Sequence, residues 1–156
     1  MNFSRVELHK PTLEQRWRTA ESNLIYFVIC GIAYAKSRGD SPEDFGTFAG
    51  EIAGPYWQEK AKGKGPPALI DGISWNKHQF HDFEIEILSE SETSIEARMK
   101  GFGENFIKVR PGTPVAEEDY LRFFEKKWET IAGVLDLEYK QRIEEGWIFI
   151  TISTKR

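Results

Sequence analysis

Leu137-Glu138-Tyr139-Lys140-Gln141-Arg142-Ile143-Glu144-Glu145-Gly146-Trp147-Ile148-Phe149-Ile150-Thr151-Ile152-Ser153 decides the fold class of this chain. Leu137, Tyr139, Gln141 and Ile143 alternate with Glu138, Lys140 and Arg142, which is the period of two that a strand requires. Glu144-Glu145-Gly146 supplies a turn, and residues 147–153 return as a second strand. Working back, Phe83, Ile85 and Ile87 alternate with Glu84 and Glu86, residues 89–92 read as a turn, and residues 94–100 form the returning strand. Two antiparallel hairpins are therefore predicted.

Between and before the hairpins the period changes to that of helices. Tyr120, Leu121, Phe124, Trp128, Ile131 and Leu135 form one apolar stripe, opened by Pro111-Gly112-Thr113-Pro114, with Thr113 as the expected cap and Pro114 at the first position. A first helix is predicted over residues 13–38, capped by Thr12 and stopped by Gly39. From Leu24 onward it is apolar on nearly every side, the pattern of a helix surrounded by protein, either centrally or in a subunit interface. Ser41-Pro42-Glu43-Asp44 starts a second helix, with an expected core face of Phe45, Phe48, Ala49, Ile52 and Ala53 and a break or kink at Pro55. Residues 59–67 (EKAKGKGPP) read as a mobile loop, and residues 68–81 carry no decisive pattern. The prediction is an α+β domain over residues 1–156: three long helices on a four-stranded antiparallel sheet, in the order α-α-ββ-α-ββ.

Composition bounds the function. The 156 residues are enough for one ordinary domain, and 40% hydrophobic with 29% charged residues is the balance of a folded globule. A net charge of −4, from 21 basic and 25 acidic residues, argues against nucleic acid as a partner. Lys60, Lys62 and Lys64 lie among Gly and Pro without the spacing of a phosphate loop. A single cysteine, Cys30, makes a thiol-reducing, cytoplasmic setting the expectation. Charges at Arg5, Glu7, Lys10 and Glu14 interrupt any signal peptide. The longest apolar stretch, residues 24–35, falls short of the ~20 residues of a membrane span, so no membrane partner is expected.

The sharpest local feature is Gly46, Gly50 and Gly54, spaced four apart so that they form one row along the second helix. An interior glycine costs a helix roughly 0.5–1 kcal/mol relative to alanine, so something needs the room. Close packing on another helix is one reading, with Gly31, Ala33 and Ala35 of the first helix as the matching small residues, within the chain or across a homodimer. The wall of a ligand cavity is another, with Tyr56 and Trp57 at its end.

Other chemistry is thin. His78 and His81, next to Asp82, have metal-ligand types at short spacing, and with a third ligand they would suit metal-assisted hydrolysis. Solvated or hydrogen-bonded histidines are the plainer reading. Cys30 sits among Ile29, Gly31 and Ile32, the setting of a buried structural thiol. No nucleophile elbow, Cys-x-x-Cys pair, zinc motif or dinucleotide fingerprint occurs.

The helix over residues 120–135, followed by Leu137-Glu-Tyr-Lys-Gln-Arg-Ile143, Gly146 and residues 147–152, resembles the closing part of two groups. These are the ligand-sensing domains of the vinyl-reductase and haem-NO-binding class, and the amino-thiazoline-carboxylate hydrolase-like group. The resemblance covers about the last quarter of the chain. It implies a pocket between helices and sheet for small, often apolar molecules. No haem-ligating histidine or hydrolase cysteine carries over, since none of the histidines lies in the matching segment and Cys30 is the only cysteine. The expected function is thus binding of a small apolar or aromatic ligand, with a homodimeric assembly module and a metal-assisted hydrolase as alternatives.

Overall fold

The computed structural model describes residues 10–103 and 113–155. Residues 1–9, where a signal peptide was sought, and Pro111-Gly112, the expected opening of the last helix, lie outside the described residues. The elements are α1 (Leu13–Arg38), α2 (Pro42–Ala61), α3 (Gly65–Lys77), β1 (Glu84–Glu90), β2 (Ser94–Lys100), α4 (Glu117–Val134), β3 (Leu137–Glu144) and β4 (Trp147–Thr154). The fold is α+β, with a four-stranded antiparallel sheet in the order β1-β2-β4-β3. The two hairpins pair through β2 and β4, with Ile95 opposite Ile152 and Ala97 opposite Ile150.

One face of the sheet carries Ile95, Ala97, Met99, Leu137, Tyr139, Ile148, Ile150 and Ile152, all buried under the helices. On the other face Arg98 and Arg142 both lie opposite Phe149, and Glu86 lies opposite Arg98. The two guanidinium groups sit 4.4 Å from the Trp147 ring and 4.0 Å from the Phe149 ring respectively, while Glu86 pairs with Arg98 at 2.6 Å. Cations and ion pairs thus cover the aromatic rings that this face presents.

Local signals set the helix ends. Thr12 and Gln15 form a reciprocal capping box on α1, and Ser41 and Asp44 do the same on α2. Gly39 closes α1 at φ 90°, a conformation that glycine adopts without the penalty of a Cβ. The last helix departs from expectation: it starts at Glu117 with Ala116 as cap, and Thr113 Oγ donates to Val115 O instead. Asp119 takes over the capping role, accepting from Ala116 N at 2.9 Å and from Lys36 Nζ at 2.5 Å.

Four helices, not three, occur among the described residues. The segment 59–67 is no loop: α2 runs on to Ala61, Lys62-Gly63-Lys64 makes the turn, and Gly65-Pro66-Pro67 opens α3. Proline is tolerated in a first helical turn because its missing N–H has no partner there anyway. Pro55 does not end α2 either. It lies on the exposed side, where the carbonyl of Glu51, left without its donor, faces water.

The buried face of α2 also differs from the predicted one. Gly46, Gly50, Gly54, Trp57 and Ala61 face inward, while Phe48 and Ile52 are exposed. Nor do the described residues of the single chain enclose α1. It buries Ile25, Ile29, Ile32 and Ala35, and leaves Tyr26, Phe27, Cys30 and Tyr34 in solvent. Among the described residues no helix is long and apolar enough to cross a membrane.

Candidate functional site

The glycine row is filled by protein. A Cβ at Gly46 would lie 2.6 Å from the Phe123 carbonyl oxygen, and one at Gly50 would lie 2.6 Å from Thr130 Cβ and 2.9 Å from the Lys127 carbonyl oxygen. The neighbour is α4, not the small residues of α1: Gly31 instead receives the Phe45 ring, which stacks on Phe123 at 5.1 Å. Gly46 and Gly50 therefore line no ligand cavity, because the α4 backbone already occupies their space. Gly54, with Val134 Cγ2 at 3.4 Å, is the loosest of the three.

What the glycines achieve is indirect. By drawing α2 onto α4 they bring Trp57 edge-on to Trp128, with ring centroids 5.3 Å apart. Gly72 of α3 makes the matching concession, since a side chain there would overlap the Trp57 ring. Around this junction of the four helices lies a cavity of about 210 Å³. Trp57, Phe80, Phe124 and Trp128 wall it, all buried, and Leu24, Asn76 and Gln79 stand at its exposed rim. Tyr56, the other aromatic expected at a ligand site, points away and is 59% exposed.

Two lysines line the same cavity. Lys77 Nζ lies 5.1 Å from the Phe80 ring centre, 5.0 Å from Phe102 and 4.6 Å from Phe124. Lys127 Nζ lies 5.5 Å from the Trp128 ring, and among the described residues no carboxylate pairs with it. Burial, with no opposing charge, holds the Lys127 amine below the ordinary lysine value. Trp128 Nε1 is buried and finds no hydrogen-bond acceptor among the described residues. An aromatic wall, together with a Lys127 ammonium and a Trp128 N–H that have no polar partner among the described residues, makes a setting for an aromatic or apolar molecule that carries a negative charge.

Lys127 could have been found in the sequence. It lies four residues after Phe123 and four before Ile131, which puts a charge inside the apolar stripe of α4. Lys77, Phe80 and Gly72 fall in the segment without periodic pattern and carried no comparable signal.

The histidines do not converge. His78 Nδ1 bonds the Ser74 carbonyl at 2.7 Å and its ring packs edge-on to Phe83. His81 Nδ1 pairs with Glu21 at 2.8 Å and its Nε2 with Asp82 at 3.2 Å. Among the described residues no three His, Cys, Asp or Glu are grouped to hold a metal. His78 and His81, expected as a metal pair, each make contacts of their own among the described residues. A wider hollow of about 660 Å³ by His81, Glu84 and Lys100 is open and polar, and within it Lys100 pairs with Glu84 at 3.2 Å and His81 with Asp82 at 3.2 Å. Cys30, expected as a buried thiol, is exposed. Compared with known proteins, the chain matches no family model, no curated protein and no solved structure.

Proposed function

We propose that this domain binds a small aromatic or apolar anion, such as an aryl carboxylate, in the cavity between Trp57, Trp128 and Lys127. The observation that carries the reading is the Lys127 ammonium, set in an aromatic chamber with no acid partner among the described residues. A charge kept there costs desolvation energy, which a bound carboxylate would offset. The volume suits a single ring with a short acidic arm, since an apolar cavity of about 150 Å³ holds benzene. Trp57 and Trp128 supply stacking edges and Lys127 the charge.

Phenylacetate and its neutral amide form the discriminating probe pair, read by quenching of tryptophan fluorescence and by thermal shift. Phenylacetate is expected to bind the intact chain, and Lys127→Met to weaken it by roughly tenfold or more, a charge-assisted bond being worth about 1.5–3 kcal/mol. The amide should bind weakly and equally to both. Affinity for the acid should fall as pH rises toward the ordinary lysine range, because the anion selects the protonated amine and burial has lowered its pKa. Equal affinity for acid and amide, or an acid affinity indifferent to Lys127→Met, would count against the reading.

A further inference from the structure

The α1–α2 hairpin presents an apolar surface that no described residue covers. On α1, Tyr26 is 49% exposed, Phe27 72% and Tyr34 69%. On α2, Phe48 is 58% exposed, Ile52 70% and Tyr56 59%, at intervals of four that make one stripe. From residue 22 to residue 35 α1 carries no Asp, Glu, Lys, Arg or His, although half of that stretch faces solvent. The two stripes belong to one surface. The helices are joined by Gly39-Asp40-Ser41 and run back antiparallel, with Phe45 of α2 seated on Gly31 of α1.

The area says what this surface is for. A large aromatic side chain presents about 150–250 Å² and isoleucine somewhat less, so these five aromatics and Ile52, from about half to nearly three-quarters exposed, leave on the order of 600 Å² of apolar area open. Monomers rarely carry a contiguous apolar patch beyond about 300–600 Å². A standard interface needs about 800 Å² from each partner, and exposed Cys30 between the aromatics of α1, with Asn23 before them and Ser37 after, brings the face close to that. Charge depletion at the centre is the compositional mark of such interfaces. Asp44 and Glu51, exposed on α2 beside Phe48 and Ile52, would repel an anionic lipid surface.

We propose that this face is the interface of a two-fold homodimer, in which the α1–α2 hairpin packs on the same hairpin of a second copy. In an isologous contact the same patch serves both partners, so one such surface per chain is sufficient. The proposal does not depend on the cavity or its ligand, which lies on the opposite, buried side of the two helices.

Light scattering coupled to size exclusion on the full chain tests it. The intact protein is expected at twice 18.0 kDa, and Phe27→Glu or Ile52→Glu at half that mass with an unchanged circular dichroism spectrum. Cys30 gives an independent reading, because it is exposed in the single chain and lies between Phe27 and Tyr34. Its alkylation by a maleimide should be slow in the intact protein and at least tenfold faster in Ile52→Glu. A mass of 18.0 kDa for the intact chain overturns the proposal, whether or not that monomer sediments with phosphatidylglycerol vesicles. A dimer that survives both substitutions, or equal alkylation rates in the two proteins, overturns it as well.

Discussion

At the scale of single residues, the glycine row of α2 separates two effects that usually come mixed. Alanine at any of the three positions gains helix propensity of roughly 0.5–1 kcal/mol. At Gly50 the new methyl would press on the Lys127 carbonyl at 2.9 Å and on Thr130, and a backbone cannot rotate away as a flexible side chain can. Overpacking of this kind costs about 1–3 kcal/mol, so Gly50→Ala should lower the free energy of unfolding, read from a shifted urea midpoint, by a net amount on the order of 1 kcal/mol. At Gly54 the methyl meets Val134 at an ordinary 3.4 Å, and Gly54→Ala should leave stability unchanged or raise it by up to about 1 kcal/mol. Equal effects at both positions would show that α4 does not approach as closely as the geometry has it. Gly50→Ala acts on the same helix pair that positions Trp57, so it should also weaken the aryl-acid probe.

Among the elements, those with a clean period were legible and those defined by what lies outside them were not. α1 starts and stops where Thr12 and Gly39 say it should, and β2 and β4 match their alternation. α3 was missed because Gly65-Pro66-Pro67, which looks like loop chemistry, becomes a helix start once Lys62-Gly63-Lys64 has turned the chain. The inward face of α2 is rotated from the expected one for a related reason: Phe45, Ala49 and Ala53 still pack against the core, while Phe48 and Ile52 do not. Hydrophobicity alone places Phe48 and Ile52 inside, whereas the close approach of α4 needs the side without side chains. The candidate site was half visible: Trp57 and Lys127 could be read from position, but the wall from α3 could not. Pro55 offers a test of the element itself. Its ring is exposed, and it removes one backbone bond from within α2. Pro55→Ala should restore that bond and stabilise the protein by about 1–3 kcal/mol, measured by chemical denaturation. A loss of stability would mean that α2 is bent there for a packing reason.

For the molecule as a whole, the helices are not equally bound to the sheet. α4 buries Tyr120, Leu121, Phe123, Phe124, Trp128, Ile131 and Ala132, and α2 is locked to it through the glycines. α1 is held by four buried side chains, all from Ile25 onward, and by polar ties at its flanks. Its first half depends on the Trp17 Nε1 bond to the Gln79 carbonyl at 2.5 Å, the His81–Glu21 pair at 2.8 Å and little else. Local opening free energies follow buried apolar contact, so amides of residues 13–24 should exchange with solvent through a low-energy opening that leaves α4 intact. If the exposed side of α1 is covered by a second copy, the two halves will respond differently when that copy is removed. In Phe27→Glu, amides of residues 26–35 should lose protection by an order of magnitude or more, while those of α4 keep theirs. Residues 13–24 should change little, because only Leu13, Trp17 and Leu24 among them present large apolar side chains. Hydrogen exchange followed by mass spectrometry resolves the three segments. Protection that is uniform along α1 and equal to that of α4 would mean that the helix is bound into the core more firmly than its buried residues account for.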